Sequence, residues 1–154
     1  MAPRLWLEIH GATDLTIFAG IEKRADNRLV SFEGSYGYGR DRVAAGWQRA
    51  ALRELDHQRS TDTQPVHTFR GLQLLEPGDI VPVDIALGPS STLFRAGETL
   101  RLLIAGRWLV PRNPLTGQFP AGYRHTQAAT CTPHWGPSRP AKLLVPCIPY
   151  RRHA

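Results

Sequence analysis

Along much of this chain the apolar residues recur at every second position, a period that belongs to β-strands and not to helices. In Arg4-Leu5-Trp6-Leu7-Glu8-Ile9, the leucines and isoleucine share one face while Arg4, Trp6 and Glu8 share the other, as in a half-buried strand. A turn at Gly11 to Asp14 follows, and Leu15, Ile17, Ala19 and Ile21 repeat the alternation. Beyond the polar stretch Glu22 to Arg28, Leu29 to Phe32 reads as a third strand. The 14 glycines and 13 prolines break helices and favour short strands joined by turns.

The turn chemistry supports the same architecture. Glu76-Pro77-Gly78-Asp79 presets a tight turn ahead of a strand over Ile80 to Leu87, in which Val81, Val83, Ile85 and Leu87 share a face. Phe94 to Glu98 is a second turn, leading into Thr99 to Ala105 with Leu100, Leu102 and Ile104 on one side. Two consecutive turn-strand units predict that these two strands lie side by side and antiparallel. Val43 to Leu55 fits both a helical stripe and a mixed alternation, and periodicity alone leaves it open. Asp56 to Thr68 is a long polar loop of the kind that crosses between sheets or serves a site. Proline-rich loops at Pro111 to Gly122 and Thr132 to Pro140 precede a closing apolar strand over Ala141 to Ile148. About seven strands in 154 residues amount to one all-β domain, a two-sheet β-sandwich of Greek-key or jelly-roll kind.

Composition excludes several functions. No apolar run approaches the roughly 18 residues of a membrane helix. Met1 to Trp6 lacks the apolar core and cleavage site of a signal peptide, which predicts a cytoplasmic chain with no membrane partner. The net charge of +6 comes almost wholly from scattered arginines, with no aromatic-interleaved basic cluster, so solvated faces and no nucleic-acid partner are expected. The glycines of Glu33 to Arg42 fall at 34, 37 and 39, out of step with a dinucleotide fingerprint.

The search for chemistry is equally sparse. No G-x-S-x-G elbow occurs, and Ser90 and Ser91 read as turn residues. His10, His57, His67, His125, His134 and His153 never fall at metal-ligand spacing, so no metal and no cofactor is expected. Cys131 and Cys147 match no zinc motif, and Cys147, placed inside the apolar final strand, is expected to be a buried free thiol. Trp47, Trp108 and Trp135 read as core or interface aromatics in preference to sugar-stacking platforms. His134-Trp135-Gly136 reads as a loop capping a sandwich edge.

Three collinear segments carry a resemblance. Gly46-Trp47-Gln48-Arg49-Ala50 with Arg53-Glu54-Leu55-Asp56, then Glu76 to Ile85, then Thr92-Leu93-Phe94-Arg95-Ala96-Gly97-Glu98 through Leu102, are followed in order by Arg112-Asn113-Pro114-Leu115-Thr116-Gly117, and the match as a whole spans Leu5 to Pro149. In these the chain resembles the C-terminal domain of Xaa-Pro dipeptidyl-peptidases and cocaine-esterase-like (CocE/NonD) hydrolases. The resemblance implies a jelly-roll, galactose-binding-like β-sandwich over 1–149, entered at its second or third strand and so lacking its first, with a short basic tail at 150–154. It tips Val43 to Leu55 towards strand, in keeping with Gly46, since glycine weakens a helix by about 1 kcal/mol.

In that family the sandwich packs on an α/β-hydrolase domain bearing the catalytic triad, and no triad residue carries over to this chain. The resemblance therefore implies a non-catalytic brace of a serine hydrolase, partnered by a catalytic domain in cis or in trans. Tyr36, Tyr38, Arg40, Arg42, Trp108, Arg112 and Asn113 are the candidate interface residues, because exposed aromatics and arginines suit interface anchors. The rival expectation is a free-standing carbohydrate- or ligand-binding module, which rests on fold analogy.

Overall fold

The structure, a computed structural model, describes residues 1–33, 40–109 and 128–148. Two four-stranded antiparallel sheets are each built around a long central strand. In the first sheet, β1 (Ala2–His10) pairs on one side with β7 (Ile80–Asp84). Its other partners are β9 (Thr130–His134) and β10 (Lys142–Leu144). In the second sheet, β2 (Thr16–Ala25) pairs with β3 (Arg28–Val30), β6 (Ala44–Arg49) and β8 (Thr99–Ala105). A small ribbon joins β4 (Phe32–Glu33) to β5 (Arg40–Asp41).

The alternation read from sequence places the core. Leu5, Leu7 and Ile9 of β1 meet Ile17, Ala19 and Ile21 of β2, with Val83, Ile85 and Leu87 beside them. Leu7 and Ile21 are fully buried, and each such side chain contributes roughly 1.5–3 kcal/mol. The β2–β3 hairpin closes through Asp26 and Asn27, both at positive φ (47° and 61°), the backbone of a type I′ turn whose twist suits the flanking strands. The ambiguous 43–55 segment is β6 followed by a short 3-10 turn at Ala50–Leu52, and no described residue is α-helical.

Two expectations are corrected. The strands at Ile80 and Thr99 are not neighbours: β7 pairs with β1 and β8 pairs with β2, in opposite sheets. After β7 the chain runs on beside the N-terminus, where Ile85 N donates to Pro3 O and Leu87 N to Met1 O (both 3.0 Å). It then reaches β6 through Gly88 N to Ala45 O at 3.2 Å, so this connection crosses the sandwich. The second correction concerns the last strand, which ends at Leu144 instead of Ile148. Past it Pro146 has no N–H to donate to a ladder, and Cys147 is exposed, with its thiol directed at Val145 O. Cys131, on β9, is the thiol that packs against the core.

The 56–68 loop does connect one sheet to the other. Its ends pair through Asp56 N to Val66 O (2.8 Å) and Thr68 N to Glu54 O (3.0 Å). Buried His67 then places Nε2 3.0 Å from the carbonyl of Asp84 on β7, an edge strand of the first sheet. No described helix is long and apolar enough to cross a membrane.

Candidate functional site

β2 is buried on both faces, which its alternating pattern does not announce. Ile17, Ala19 and Ile21 face the core, while Phe18, Gly20 and Glu22 on the opposite face are also buried. What covers them is the chain following β8, folded back over the outer side of the second sheet. A carbon added to Gly20 would stand 2.6 Å from Leu109 Cδ1.

Arg42 locks this cover in place. Its guanidinium pairs with Glu22, and its Nη2 and Nε donate to the carbonyl of Leu109 at 2.8 and 3.2 Å. Glu22 is only 7% exposed and is paired chiefly with Arg42, with Arg24 Nη1 further off at 3.8 Å.

Beside the clamp, three aromatics meet edge to face. Trp108 stands 5.6 Å from Phe18 and 5.1 Å from Trp47, with interplanar angles of 82° and 75°. Such pairs are worth about 0.5–1.5 kcal/mol beyond their buried area. Trp108 is thereby engaged on both sides, whereas Trp47, the cross-strand partner of Phe18, keeps 47% of its surface in solvent.

Of the residues singled out from sequence, Arg42 and Trp108 come together here, joined through Leu109. Arg40 lies on β5, where its backbone pairs with Glu33. Tyr36, Tyr38, Arg112 and Asn113 lie outside the described residues. Sequence reading named Trp47 only as a core or interface aromatic and missed Phe18 and Glu22 as members of this face. The available signal was the second alternation in β2, Phe18-Gly20-Glu22, hidden beneath the stronger Ile17-Ala19-Ile21 pattern.

On the outer side of the first sheet, Glu8 serves two histidines. His134 Nε2 lies 2.9 Å from Glu8 Oε2, and His10 Nδ1 lies 3.8 Å from Glu8 Oε1. His10 Nε2 is also 3.0 Å from Thr132 Oγ1, giving a hydroxyl, imidazole and carboxylate in sequence. The Thr132–His10 contact is exposed, and the imidazole–carboxylate separation exceeds hydrogen-bond distance. An acyl-transfer triad instead holds the base by a hydrogen bond beside oxyanion donors. Among the described residues, no group of three or more His, Cys, Asp or Glu is disposed to hold a metal ion. Trp135, next to His134, is 76% exposed.

The comparisons with known proteins agree with the fold. The sequence matches the X-Pro dipeptidyl-peptidase C-terminal non-catalytic domain over residues 1–143. Two crystal structures of a CocE/NonD family hydrolase from Staphylococcus aureus share its fold. One aligns at 37% identity with a TM-score of 0.70 over 73% of this chain and 20% of that one. The other aligns at 32% identity with a TM-score of 0.79 over 91% of this chain and 26% of that one. The chain thus spans about a quarter or less of the hydrolase's length. No curated protein sequence matches it. On the family match across nearly its whole length, this chain belongs to the X-Pro dipeptidyl-peptidase C-terminal non-catalytic domain family.

Proposed function

We propose that the chain is the bracing β-sandwich of a serine hydrolase of dipeptidyl-peptidase or acyl-ester type, and that it packs on an α/β-hydrolase catalytic domain through the outer face of its second sheet. The observation that carries this reading is Trp47, half-exposed on a rigid support of Trp108 and Phe18, beside the Arg42–Glu22 pair. A large aromatic whose rotamer is already held by its neighbours loses little entropy on docking, as interface anchors do. The S. aureus hydrolase, most of whose length this chain does not span, supports a partner of that kind.

The test mixes the purified chain with the catalytic portion of the S. aureus hydrolase. Aminoacyl-proline anilides and simple esters are then assayed with each component alone and with both. The chain alone gives no turnover, and the mixture forms a complex that Trp47→Ala weakens by about 30-fold, the loss of a hot-spot residue worth roughly 2 kcal/mol. Turnover by the chain alone, or a catalytic portion equally stable and active without it, overturns the reading.

A further inference from the structure

The outer side of the first sheet carries a cavity of about 220 Å³, on the opposite sheet from the docking face. Its floor is set by register. Arg4 on β1 lies between Lys142 on β10 and Asp84 on β7, so the three charged side chains form one row across the strands. The 56–68 loop supplies the opposite wall with His57, Ser60 and Asp62.

That wall is held in shape before any ligand arrives. Ser60 Oγ donates to Val66 O at 3.1 Å and accepts from Val66 N at 2.9 Å. Asp56 Oδ1 accepts from the backbone N–H groups of Gln58 and Arg59, both at 3.1 Å. A site that is already ordered spares a ligand the cost of ordering it.

The charges in the cavity are not all spent on one another. Arg4 gives Nε and Nη2 to the two carboxylate oxygens of Asp84 at 2.8 and 2.9 Å, which leaves three of its five N–H donors. Lys142 sits directly across from Arg4, so a second cation lines the cavity beside the Arg4–Asp84 pair. Asp62 acts on Arg4 through space. Among the described residues, neither the Lys142 nor the Asp62 side chain has a hydrogen bond or an ion pair.

We infer that this cavity binds a small zwitterion of amino-acid or dipeptide size, its carboxylate between Lys142 and the spare donors of Arg4 and its ammonium on Asp62. Lys142 and Asp62 offer one cation and one anion without a direct side-chain partner in a single preformed cavity, so a ligand carrying both signs meets a complement at each end, and a singly charged molecule meets only one. The volume sets the size, since it falls below the roughly 300–1,000 Å³ of pockets that enclose drug-sized ligands. The site is independent of the docking face and stands or falls apart from it.

Glycylglycine is the probe. The isotopically labelled 154-residue chain is titrated at pH 7 while the amide resonances of Thr61, Asp62 and Lys142 are followed. Glycylglycine gives a saturable shift, and N-acetylglycylglycine and glycylglycinamide each bind at least about tenfold more weakly, as expected for loss of one charge-assisted hydrogen bond. Lys142→Gln reduces the discrimination against the amide, Arg4 retaining part of it, and Asp62→Asn abolishes that against the acetylated peptide. Both side chains are exposed, so unchanged melting temperatures show that the variants fold. Absence of a saturable shift, equal binding of the three peptides, discrimination unchanged in the variants, or binding of galactose in place of the peptide overturns the inference.

Discussion

A side-chain carbon at Gly46 would lie 2.0 Å from the carbonyl oxygen of Ala86. Gly46 is on β6 of the second sheet, and Ala86 is in the connection arriving from β7 of the first, so the missing side chain is what lets the crossing pass so close. Gly46→Ala destabilises the domain by about 1–3 kcal/mol, the usual penalty for overpacking. Gly71→Ala, with nothing within 4 Å of the added carbon, stays within about 0.5 kcal/mol of the parent. Urea midpoints at constant slope measure both.

Removing Arg42 strands the buried carboxylate of Glu22. Arg42→Met costs about 3 kcal/mol, at the low end for one partner of a buried pair because Arg24 remains at 3.8 Å. Adding Glu22→Leu restores most of the loss, since two apolar groups replace two charges. A double-mutant cycle gives the coupling, and additive single effects would contradict the clamp.

The two thiols differ in reactivity. Burial pushes the Cys131 thiol above its ordinary value of 9.0, while Cys147 is exposed. Under native conditions iodoacetamide modifies Cys147 rapidly, and the partly buried Cys131 follows more slowly. Peptide mapping of the alkylated chain at early times checks the order.

Glu98 links the Arg95 turn to β2. The backbone N–H of Arg95 (2.6 Å) and the Lys23 ammonium (2.7 Å) hold its carboxyl below the ordinary 4.5. A carboxyl lowered in the folded state stabilises fully above its unfolded value, and that contribution is lost as pH falls through the lower folded value. Glu98→Gln is therefore less stable than the parent at pH 7, and the difference shrinks below pH 4.5. Thermal unfolding across that range checks the convergence.

The core-facing sides of β1 and β2 were readable because one face of each strand is strongly apolar, and a slip of one residue would turn Leu5, Leu7 and Ile9 into water. The outer face of the second sheet was half legible. Arg42 and Trp108 stood out as residue types, but Phe18 and Glu22 are far in sequence from Leu109, and only the folded-back chain after β8 brings them together. The burial of Cys147 was misjudged because an apolar run resembles a strand whether or not a neighbour receives it.

What the sequence determined by itself is therefore local: a two-residue period, turns where glycine, proline, aspartate and asparagine set the backbone, and collinear motifs that mark the family. Those follow from interactions between residues a few positions apart. Tertiary structure alone decided that β7 and β8 belong to opposite sheets, that β2 is buried on both faces, and that Lys142, Arg4 and Asp84 share one row. These depend on pairings between strands separated by dozens of residues, which hydrophobic burial selects only once both sheets are assembled.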